Sequence, residues 1–397
     1  MADRKILHCD LNNFFASVSL LYNPTLHNLP VAVTGSQKER HGIVLAKNEL
    51  AKSYGVKTAE AIWEAKAKCP ELVTIPPMYD KYNEFSKKAQ QIYSKYTDQI
   101  EPFGIDECWL DVTGSTLAFG NEVEIAHKIR NEIKQTLGIT VSIGVSFNKI
   151  FAKLGSDMKK PDAVTVINRQ NFKEKVWHLP VSDLLFVGKS TAERLNKSGI
   201  FTIGDITLCN KELLNKLLGK NGEALYNYAT GQDNSPVITP TPDDRPKSIG
   251  RSVTPPHDIK TDDEVWKIFI DISEEIARKL QKQNLYAGTV QVHTRTTTLL
   301  IKEFSESMHT PINISMQLAR HGMEIFKKNY PWSLPLRSVG LRVTNLKDSS
   351  FGEQLDLFSE QHNDKKDELI ESSLNTVRQR FGNTSIKRAT TIKKDKA

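Results

Sequence analysis

Two stretches of the chain decide its fold: Ile6-Leu7-His8-Cys9-Asp10 and Phe103-Gly104-Ile105-Asp106-Glu107-Cys108-Trp109-Leu110-Asp111-Val112. The first is a short apolar run that ends at Asp10, and the second contains β-branched and aromatic residues; both patterns predict a strand. An acidic side chain on a buried strand is costly unless something pairs with it. Asp10, Asp106 and Glu107 are therefore predicted to converge on a shared ligand. Three carboxylates from two strands would form a hard, oxygen-rich site for divalent metal, which Mg²⁺ shares with water and substrate phosphates.

The alternative for the three acids is a surface hairpin at Asp106 and Glu107, with Asp10 capping a helix. Asp111 lies four residues beyond Glu107 and is interpreted as a structural or capping residue, because Asp favours caps and turns.

A length of 397 residues predicts two to four domains. Hydrophobic residues make up 39% of the chain and charged residues 25%, as in a globular protein. The net charge of +7 favours an acidic partner, with nucleic acid as the leading candidate. On charge alone, a basic protein with no such partner remains the alternative.

Cysteine usage and hydropathy indicate the compartment. The four cysteines, Cys9, Cys69, Cys108 and Cys209, are far apart and form no C-x-x-C pair. Structural zinc and a disulfide framework are therefore not expected, and a reducing cytosol fits. The sequence shows neither a signal peptide nor an apolar run that could span a bilayer. We expect a cytoplasmic protein without a membrane partner.

Residues 1–168 alternate strand-like and helix-like segments, which favours an α/β or α+β domain. Strands are predicted at 5–9, 31–34, 43–46, 72–75, 108–112, 140–145 and 164–167. Helices are predicted at 13–22, 58–68, 79–97, 122–137 and 148–158, with Thr58 as the N-cap of the second.

The remainder changes character three times. Residues 169–231 predict short helices, with a turn at Gly188 and Lys189 opening one that Gly199 ends. This pattern resembles a helix-hairpin-helix, and an ordinary αα-turn is the alternative. The Pro- and Asp-rich residues 232–247 predict an extended linker. Residues 248–345 predict a β-α-β-β-α-β module, and a tail with a possible helix at 365–381 follows.

The acidic stretches resemble the active-site motifs of the Y-family (UmuC/DinB-type) translesion DNA polymerases. The resemblance continues, in order, through residues 42–56, 141–149, 151–153, 157–161 and 247–251. It implies a multidomain α+β fold with the architecture of a right hand. The implied parts are a palm at 1–23 and 78–168, fingers at 24–77, a thumb at 169–231, a linker at 232–247, a little finger at 248–345 and a tail at 346–397.

The resemblance implies a reaction as well as a fold. Asp10, Asp106 and Glu107 would hold two Mg²⁺ ions, with the backbone carbonyl of Leu11 as a further ligand. The ions would activate the primer 3′-hydroxyl and orient the deoxynucleotide triphosphate. The implied activity is error-prone, template-directed DNA synthesis opposite damaged bases, a mutator function of the bacterial SOS response.

For the nucleotide, the resemblance implies contacts from Phe14, Phe15, Lys52 and Lys160. Phe15 occupies the position of a steric gate against the ribose 2′-hydroxyl, and Phe14 is the more core-like ring of the pair. Plain core packing of Phe15 and a solvated Lys160 are the alternatives.

The chain also departs from the family pattern near the nucleotide. Glu49 and Lys52 stand where many relatives carry Tyr and Arg, unless Lys47 takes part of that role through a shifted alignment. Gly104 stands where relatives usually carry Ser. These departures leave nucleotide affinity, fidelity and lesion preference open.

DNA contacts are expected from the thumb turn and the little finger, addressed to phosphates rather than bases. The candidates are Gly188, Lys189, Arg251, Arg295, Arg337 and Arg342. Arg337 and Arg342 fall on opposite parities of one strand and should not share a face. A solvated surface is the alternative for each arginine.

The tail contains a short peptide that resembles the clamp-binding motif of bacterial replication proteins. Apolar residues in a polar tail usually indicate a partner, although the tail could also pack on its own domain. The peptide consists of Gln354, Leu355, Asp356, Leu357 and Phe358.

The expected partners are primer-template DNA, deoxynucleotides and the sliding clamp, in a nucleoid-associated location; a recombinase filament or accessory subunits are also considered. Residues 48–55 favour the UmuC-like branch of the family. Glu49 keeps open an accessory factor that binds clamp and DNA with weak or partner-dependent catalysis. A nucleotidyl cyclase also uses strand-borne acids, but the module at 248–345 and the clamp-like peptide argue against it.

Overall fold

The computed structural model describes residues 3–36, 40, 42–241, 245–348, 364–382 and 385–386. The chain divides into two compact units. The first comprises residues 1–37 and 42–242, and the second comprises residues 38–41 and 243–397. The clamp-like peptide at 354–358 lies outside the described residues.

The first unit mixes strands with helices, as its sequence predicts. Its strands are β1 (Ile6–Leu11), β2 (Val31–Thr34), β3 (Val44–Lys47), β4 (Val73–Ile75), β5 (Ile100–Pro102), β6 (Glu107–Asp111), β7 (Val141–Ser146) and β8 (Val164–Ile167). Its helices are α1 (Phe14–Leu21), α2 (Glu49–Ser53), α3 (Ile62–Lys68), α4 (Tyr79–Tyr93), α5 (Thr116–Phe119), α6 (Glu122–Leu137), α7 (Lys149–Met158), α8 (Phe172–Val176), α9 (Lys189–Lys197), α10 (Ile203–Leu208), α11 (Lys211–Leu218) and α12 (Lys220–Ala229).

A five-stranded sheet of order β5-β6-β1-β7-β8 forms the centre of the first unit. β1 lies between β6 and β7, antiparallel to both, and all six of its residues are buried. Helices α4 and α6 contribute to the apolar core against this sheet. The last residues of β1, Asp10 and Leu11, therefore lie at one end of the sheet, between β6 and β7.

Helix α7 packs directly on β7 and β1. Gly144 makes this close approach possible, because a Cβ there would lie 1.8 Å from the carbonyl oxygen of Ala152. Asn148 begins the helix by accepting a hydrogen bond from the N–H of Phe151 at 2.8 Å. Side chains on the second turn of α7 therefore reach the acidic end of β1.

A three-stranded sheet of order β3-β2-β4 lies beside α2 and α3. Asn48 caps α2 by accepting from the N–H of Ala51 at 3.0 Å. The prediction of Thr58 as a helix N-cap is wrong. Helix α3 begins only at Ile62, because the Glu64 carboxylate accepts from the N–H of Ala61 at 2.9 Å, whereas the Thr58 hydroxyl accepts from Lys47.

Short helices α8 to α12 share one apolar core with α7. Gly188 is the N-cap of α9, and Gly199 follows its end with φ +79°. A positive φ is accessible to Gly at little cost, which explains the stop. The predicted turn-helix-turn-helix pattern is confirmed for α9 and α10.

The predicted linker is only partly a linker, because residues 231–239 bind along the first unit. Val237 is 7% exposed and packs with Trp109 and neighbouring apolar residues.

Hydrogen bonds also hold this segment. The N–H of Ile238 donates to Glu101 at 2.7 Å, and both Glu101 oxygens lie 2.6 Å from the Lys149 ammonium. Further hydrogen bonds join Arg4 to the carbonyl of Ser235, and Thr239 to the backbone of Asp98 and Ile100. Pro-rich sequence predicted the extended conformation but not this attachment.

The second unit has the predicted β-α-β-β-α-β order. Its elements are β9 (Ser248–Val253), α13 (Asp262–Lys282), β10 (Leu285–Thr296), β11 (Ile301–Ile312), α14 (Ser315–Asn329), β12 (Leu336–Asp348) and α15 (Asp364–Phe381). The sheet order is β11-β10-β12-β9, and α13 and α14 form an apolar core on one face of it. Strand β11 extends over twelve residues, to Ile312, because it pairs along the length of β10.

Candidate active site

Three carboxylates meet at the ends of β1 and β6. Asp10 lies directly opposite Glu107 in the antiparallel register. The N–H of Leu11 donates to the carbonyl of Asp106 at 3.0 Å, which ties the residue before β6 to the end of β1. Asp10 is 6% exposed, and Asp106 and Glu107 are half-buried. Asp10 therefore lies on a strand and does not cap α1, whose N-cap is Asn13, whereas Asp106 and Glu107 lie where the hairpin between β5 and β6 enters β6. That the three acids share a ligand stays a prediction.

The environment separates the pKa values of two neighbouring acids. Burial, followed by the charges of Asp10 and Glu107, raises the pKa of Asp106 to about 6. Burial would also raise the pKa of Glu107, but His8 and Lys153 together lower it to about 2. The site thus disfavours the ionised form of Asp106, whereas Glu107 stays ionised.

Two lysines neutralise this acidic edge. The Lys153 ammonium lies 3.2 Å from Asp10 Oδ2, 2.9 Å from Glu107 Oε2 and 3.2 Å from Asp157 Oδ2. The Lys160 ammonium lies 2.8 Å from Asp10 Oδ2 and 2.9 Å from Asp157 Oδ1. Burial would lower the pKa of both lysines, but the carboxylates around them, Asp10 foremost, raise it. Both ammonium groups are therefore held charged.

The donor set fits a divalent cation, although the side chains are not arranged around one. Within the described part of the chain, no group of three His, Cys, Asp or Glu side chains forms a metal-binding cluster. The physical reason is that Asp10 and Glu107 direct oxygens at Lys153. The pKa of Asp106 is raised first by burial and then by the charges of Asp10 and Glu107, and a hard divalent cation would favour its ionised form. Asp10, Asp106 and Glu107 could hold such an ion once Lys153 releases Asp10 and Glu107.

Sequence reasoning assigned no role to His8 or to Lys153. His8 is fully buried, with Nδ1 2.9 Å from Ser156 Oγ and Nε2 3.3 Å from Glu107 Oε2. The signal for His8 was its position two residues before Asp10, on the same face of a strand. The signal for Lys153 was its spacing of four residues from Asp157 on a helix.

The two phenylalanines after Asp10 differ in their surroundings. Phe14 is 2% exposed and belongs to the sheet core, as expected of the more core-like ring; its contact with nucleotide stays a prediction. Phe15 is half-buried and stacks on Tyr82, with ring centroids 4.2 Å apart and planes 8° apart. The Tyr82 hydroxyl shares a 2.7 Å hydrogen bond with Ser19, which fixes the ring beneath Phe15.

Glu49 is the first residue of α2, and Lys52 lies in its last turn. Glu49 Oε1 accepts from the Asn13 amide at 2.8 Å and lies 3.4 Å from the Lys52 ammonium. Lys47 Nζ donates to Thr58 Oγ1 at 3.0 Å, and its pKa is lowered by burial and by the charge of Lys52. The negative charge of Glu49 is therefore paired within this helix and with the β1–α1 turn.

Asp111 has the structural role that its position suggested. Its carboxylate accepts hydrogen bonds from the N–H of Thr113 at 2.9 Å and from the Thr113 hydroxyl at 2.5 Å. Asp111 therefore shapes the turn after β6 and stands apart from the acidic cluster.

The face of the second unit's sheet opposite its helices carries polar and basic side chains. Arg342 lies opposite Gln291 in the register, and Arg295 lies four residues along the same strand as Gln291, so both arginines share this face. A cleft of about 480 Å³ there is lined by residues that include Gln291, His293 and Arg342.

The other two predicted arginines differ from this pair. Arg251 forms an ion pair with Glu275 of α13, on the helix side of the sheet. Arg337 is half-buried and lies at an irregularity in β12, between Leu336 and Ser338, so its parity relative to Arg342 does not place it on either face. In the first unit, Gly188 and Lys189 are exposed at the start of α9.

None of the described helices combines the length and the apolar character needed to cross a bilayer.

Comparison with known proteins gives three family matches. Residues 9–157 match the impB/mucB/samB family, and residues 246–357 match the C-terminal domain of that family. Residues 182–233 match the thumb domain of DNA polymerase iota.

Whole-chain relatives agree with the family matches. The DNA polymerase IV of Acetivibrio thermocellus is 49% identical over 385 residues, covering 97% of this chain and 96% of the relative. DNA polymerase IV 1 of Bacillus subtilis is 35% identical over 396 residues, covering 99% and 94%. These relatives give no support to the UmuC-like branch that residues 48–55 suggested.

A solved structure, the Y-family DNA polymerase chimera Dbh-Dpo4(243-245)-Dbh, has a TM-score of 0.77 and 26% identity with this chain. The match covers 87% of this chain and 99% of that one. The fold predicted from sequence is thereby confirmed.

Proposed function

The chain belongs to the impB/mucB/samB family of Y-family DNA polymerases, and from this premise we propose that it synthesises DNA on damaged templates. The reaction is template-directed transfer of a nucleotide from a deoxynucleotide triphosphate to a primer 3′-hydroxyl. One observation carries the proposal: Asp10 and Glu107 face each other across β1 and β6, with Asp106 adjoining them.

Polymerases of this family use divalent metals, and we assign two Mg²⁺ ions to Asp10, Asp106 and Glu107, with the Leu11 carbonyl as a further ligand. Bound there, the metal supplies charge neutralisation for the triphosphate and a lowered pKa for the attacking hydroxyl. The side chains contribute placement. Asp10 is fixed by a fully buried strand, and Glu107 is kept ionised by His8 and Lys153.

Lys160 is assigned to the phosphates of the incoming nucleotide. Its ammonium is held beside Asp10 at 2.8 Å, and its side chain keeps 27% exposure. A compact charge that is close to the metal ligands and still open to solvent suits a phosphate. Lys52, next to Glu49 on α2, is assigned a supporting role toward the same phosphates.

Phe15 is assigned to sugar selection. Its half-buried ring is immobilised by stacking on Tyr82, and a rigid ring can exclude a ribose 2′-hydroxyl by bulk alone. Phe14 is not part of this assignment, because the core already surrounds it.

The domain limits follow the family pattern. We assign the palm to residues 1–23 and 78–168, the fingers to 24–77, the thumb to 169–231 and the little finger to 248–345. Residues 231–239 are bound to the first unit, so only the later part of 232–247 is assigned as linker.

DNA contacts are assigned to Gly188 and Lys189 at the start of α9, and to the open face of β10 and β12 that carries Arg295 and Arg342. These groups would bind phosphates, which gives affinity without sequence preference and suits damaged templates. Arg251 is engaged by Glu275, so its contribution is expected to be smaller. Arg337, at the irregularity near the start of β12, remains a further candidate for DNA contact.

Partners beyond DNA and nucleotide remain part of the proposal. The peptide Gln354 to Phe358 is assigned to a sliding clamp, and the site of action to the cytoplasmic nucleoid. Accessory subunits or a recombinase filament would act on this polymerase rather than replace its chemistry. The accessory-factor alternative is not favoured, because Glu49 is paired with Asn13 and Lys52.

Primer extension tests the proposal. Purified protein with Mg²⁺, deoxynucleotides and a template carrying an abasic site should extend the primer, and Asp106→Asn should abolish extension. Asp111→Asn is the matched control, since this acid follows Glu107 on the same strand but only shapes the Thr113 turn. Loss of extension in both variants, or in neither, would contradict the assignment.

A further inference from the structure

We propose that Asn12 is a positioning residue for nucleotide binding, because its side-chain amide holds the loop that carries Lys160. The inference rests on the proposed function, since that function gives Lys160 its phosphate. The side chain of Asn12 bonds to Ser142 on β7, to Thr140 just before β7 and to Asp162 in the loop after α7.

Asn12 is 4% exposed, and its amide is used on both sides. Its Nδ2 donates to Ser142 Oγ at 2.9 Å. Its Oδ1 accepts from Thr140 Oγ1 at 3.0 Å and from the N–H of Asp162 at 2.9 Å. A buried amide with this many partners is held in one orientation, and removing it would leave buried donors without acceptors.

The loop after α7 is held from two directions at Asp162. Its N–H is bound from inside by Asn12, as above. Its carboxylate lies 2.7 Å from Lys134 Nζ and 3.6 Å from Arg130 Nε, both on α6. Asp162 also has φ +56°, a conformation that a non-glycine residue adopts only when its surroundings impose it.

Lys160 lies two residues before this clamped position. Its ammonium reaches Asp10 Oδ2 at 2.8 Å, beside the three carboxylates. A lysine side chain is flexible, so the place of its charge depends on where the backbone is held. If Asp162 were less firmly held, the Lys160 ammonium would occupy a wider range of positions and attract a triphosphate less strongly. The DNA contacts would be unaffected.

Steady-state primer extension gives the first test. Asn12→Ala should raise the KM for deoxynucleotide about tenfold. A change of this size corresponds to the free energy of about one hydrogen bond to a charged group. The kcat and the Kd for primer-template DNA should change less. Asn12→Asp keeps the oxygen that accepts from Asp162 and should restore most of the affinity.

A double-mutant cycle separates positioning from general damage. If Asn12 acts through Lys160, the Asn12→Ala substitution should add nothing to the KM of Lys160→Ala. Lys134→Ala provides a second variant that removes the outer contact with Asp162 from an exposed side chain, so folding should be preserved. It should raise the KM in the wild-type background and not in Lys160→Ala. Asn121→Ala, which removes only the cap of α6, controls for lost stability.

Hydrogen exchange measures the loop without catalysis. The amide of Asp162 should exchange faster in Asn12→Ala than in the wild type, and its rate should not change in Asn121→Ala. Multiplicative effects of Asn12→Ala and Lys160→Ala on KM, or unchanged exchange at Asp162, would overturn the inference. A wild-type protein that extends no primer would instead overturn the proposed function, and the exchange rate would still decide whether Asn12 holds the loop.

Discussion

Replacing Asp106 by Asn should stabilise the protein at alkaline pH while abolishing catalysis. Burial and two neighbouring carboxylates raise the pKa of Asp106 from 3.8 to about 6. A rise of about two pKa units corresponds to about 3 kcal/mol of unfavourable free energy for the ionised group. Because Asp106 is only half-buried, solvent screens part of this, and we expect a gain of about 1–3 kcal/mol from Asp106→Asn at pH 8.

The sign follows from proton binding. The folded protein keeps the Asp106 proton up to a higher pH than the unfolded chain, so the wild type loses stability as pH rises from 3.8 to about 6. The full penalty is present above that range and absent below it. The advantage of Asp106→Asn should therefore be greatest at pH 8 and vanish near pH 4.

Thermal unfolding at several pH values measures this effect. For a unit of about 240 residues, the expected gain corresponds to a rise in Tm of about 5 °C at pH 8. Asp111→Asn, which loses the Thr113 contacts, should lower the Tm at every pH. An Asp106→Asn protein that is less stable than the wild type at pH 8, or that keeps its advantage at pH 4, would refute the electrostatic account.

Three other predictions concern metal, sugar and DNA. Adding Mg²⁺ at pH 8 should raise the Tm of the wild type more than that of Asp106→Asn, since the ion relieves the same crowded charge; equal shifts would argue against a metal at this edge. Phe15→Ala should raise ribonucleotide incorporation, measured by the ratio of kcat/KM values for the two sugars, whereas Phe14→Ala should cost about 3–5 kcal/mol of stability because it leaves a core cavity. Arg295→Ala and Arg342→Ala should each weaken DNA binding on all sequences. Binding titrations at several salt concentrations should show that the slope of the logarithm of the binding constant against the logarithm of the salt concentration falls in magnitude by about one. A loss of affinity on only some sequences would point to base contacts instead.

The acidic site could be predicted because strands and acids leave strong local signals. A carboxylate inside an apolar run needs a partner, and the antiparallel register then brought Asp10 opposite Glu107. Asn148 before α7 is likewise a readable cap. Thr58 misled, because a Thr before a polar run matches a cap in sequence, while the N–H groups that set the start of α3 bind Glu64 instead.

Long-range pairings could not be read from the sequence. Lys153 lies 143 residues from Asp10 along the chain, and only the packing of α7 at Gly144 brings them together. The attachment of Ile238 to Glu101 depends on a similar separation. The sequence indicated Phe14 as the more core-like of two adjacent rings, but the stacking of Phe15 on Tyr82 joins residues far apart in the chain and could not be predicted.

The binding of residues 231–239 along the first unit has a consequence for hybrid proteins. Val237 fills an apolar site beside Trp109, and Ile238 completes the hydrogen bonding of the buried Glu101–Lys149 pair. Exchanging this segment between relatives would therefore replace side chains that pack inside the first unit, and not merely a spacer between domains. Hybrids should tolerate such an exchange only when the residues at positions 101, 109 and 149 are transferred with it.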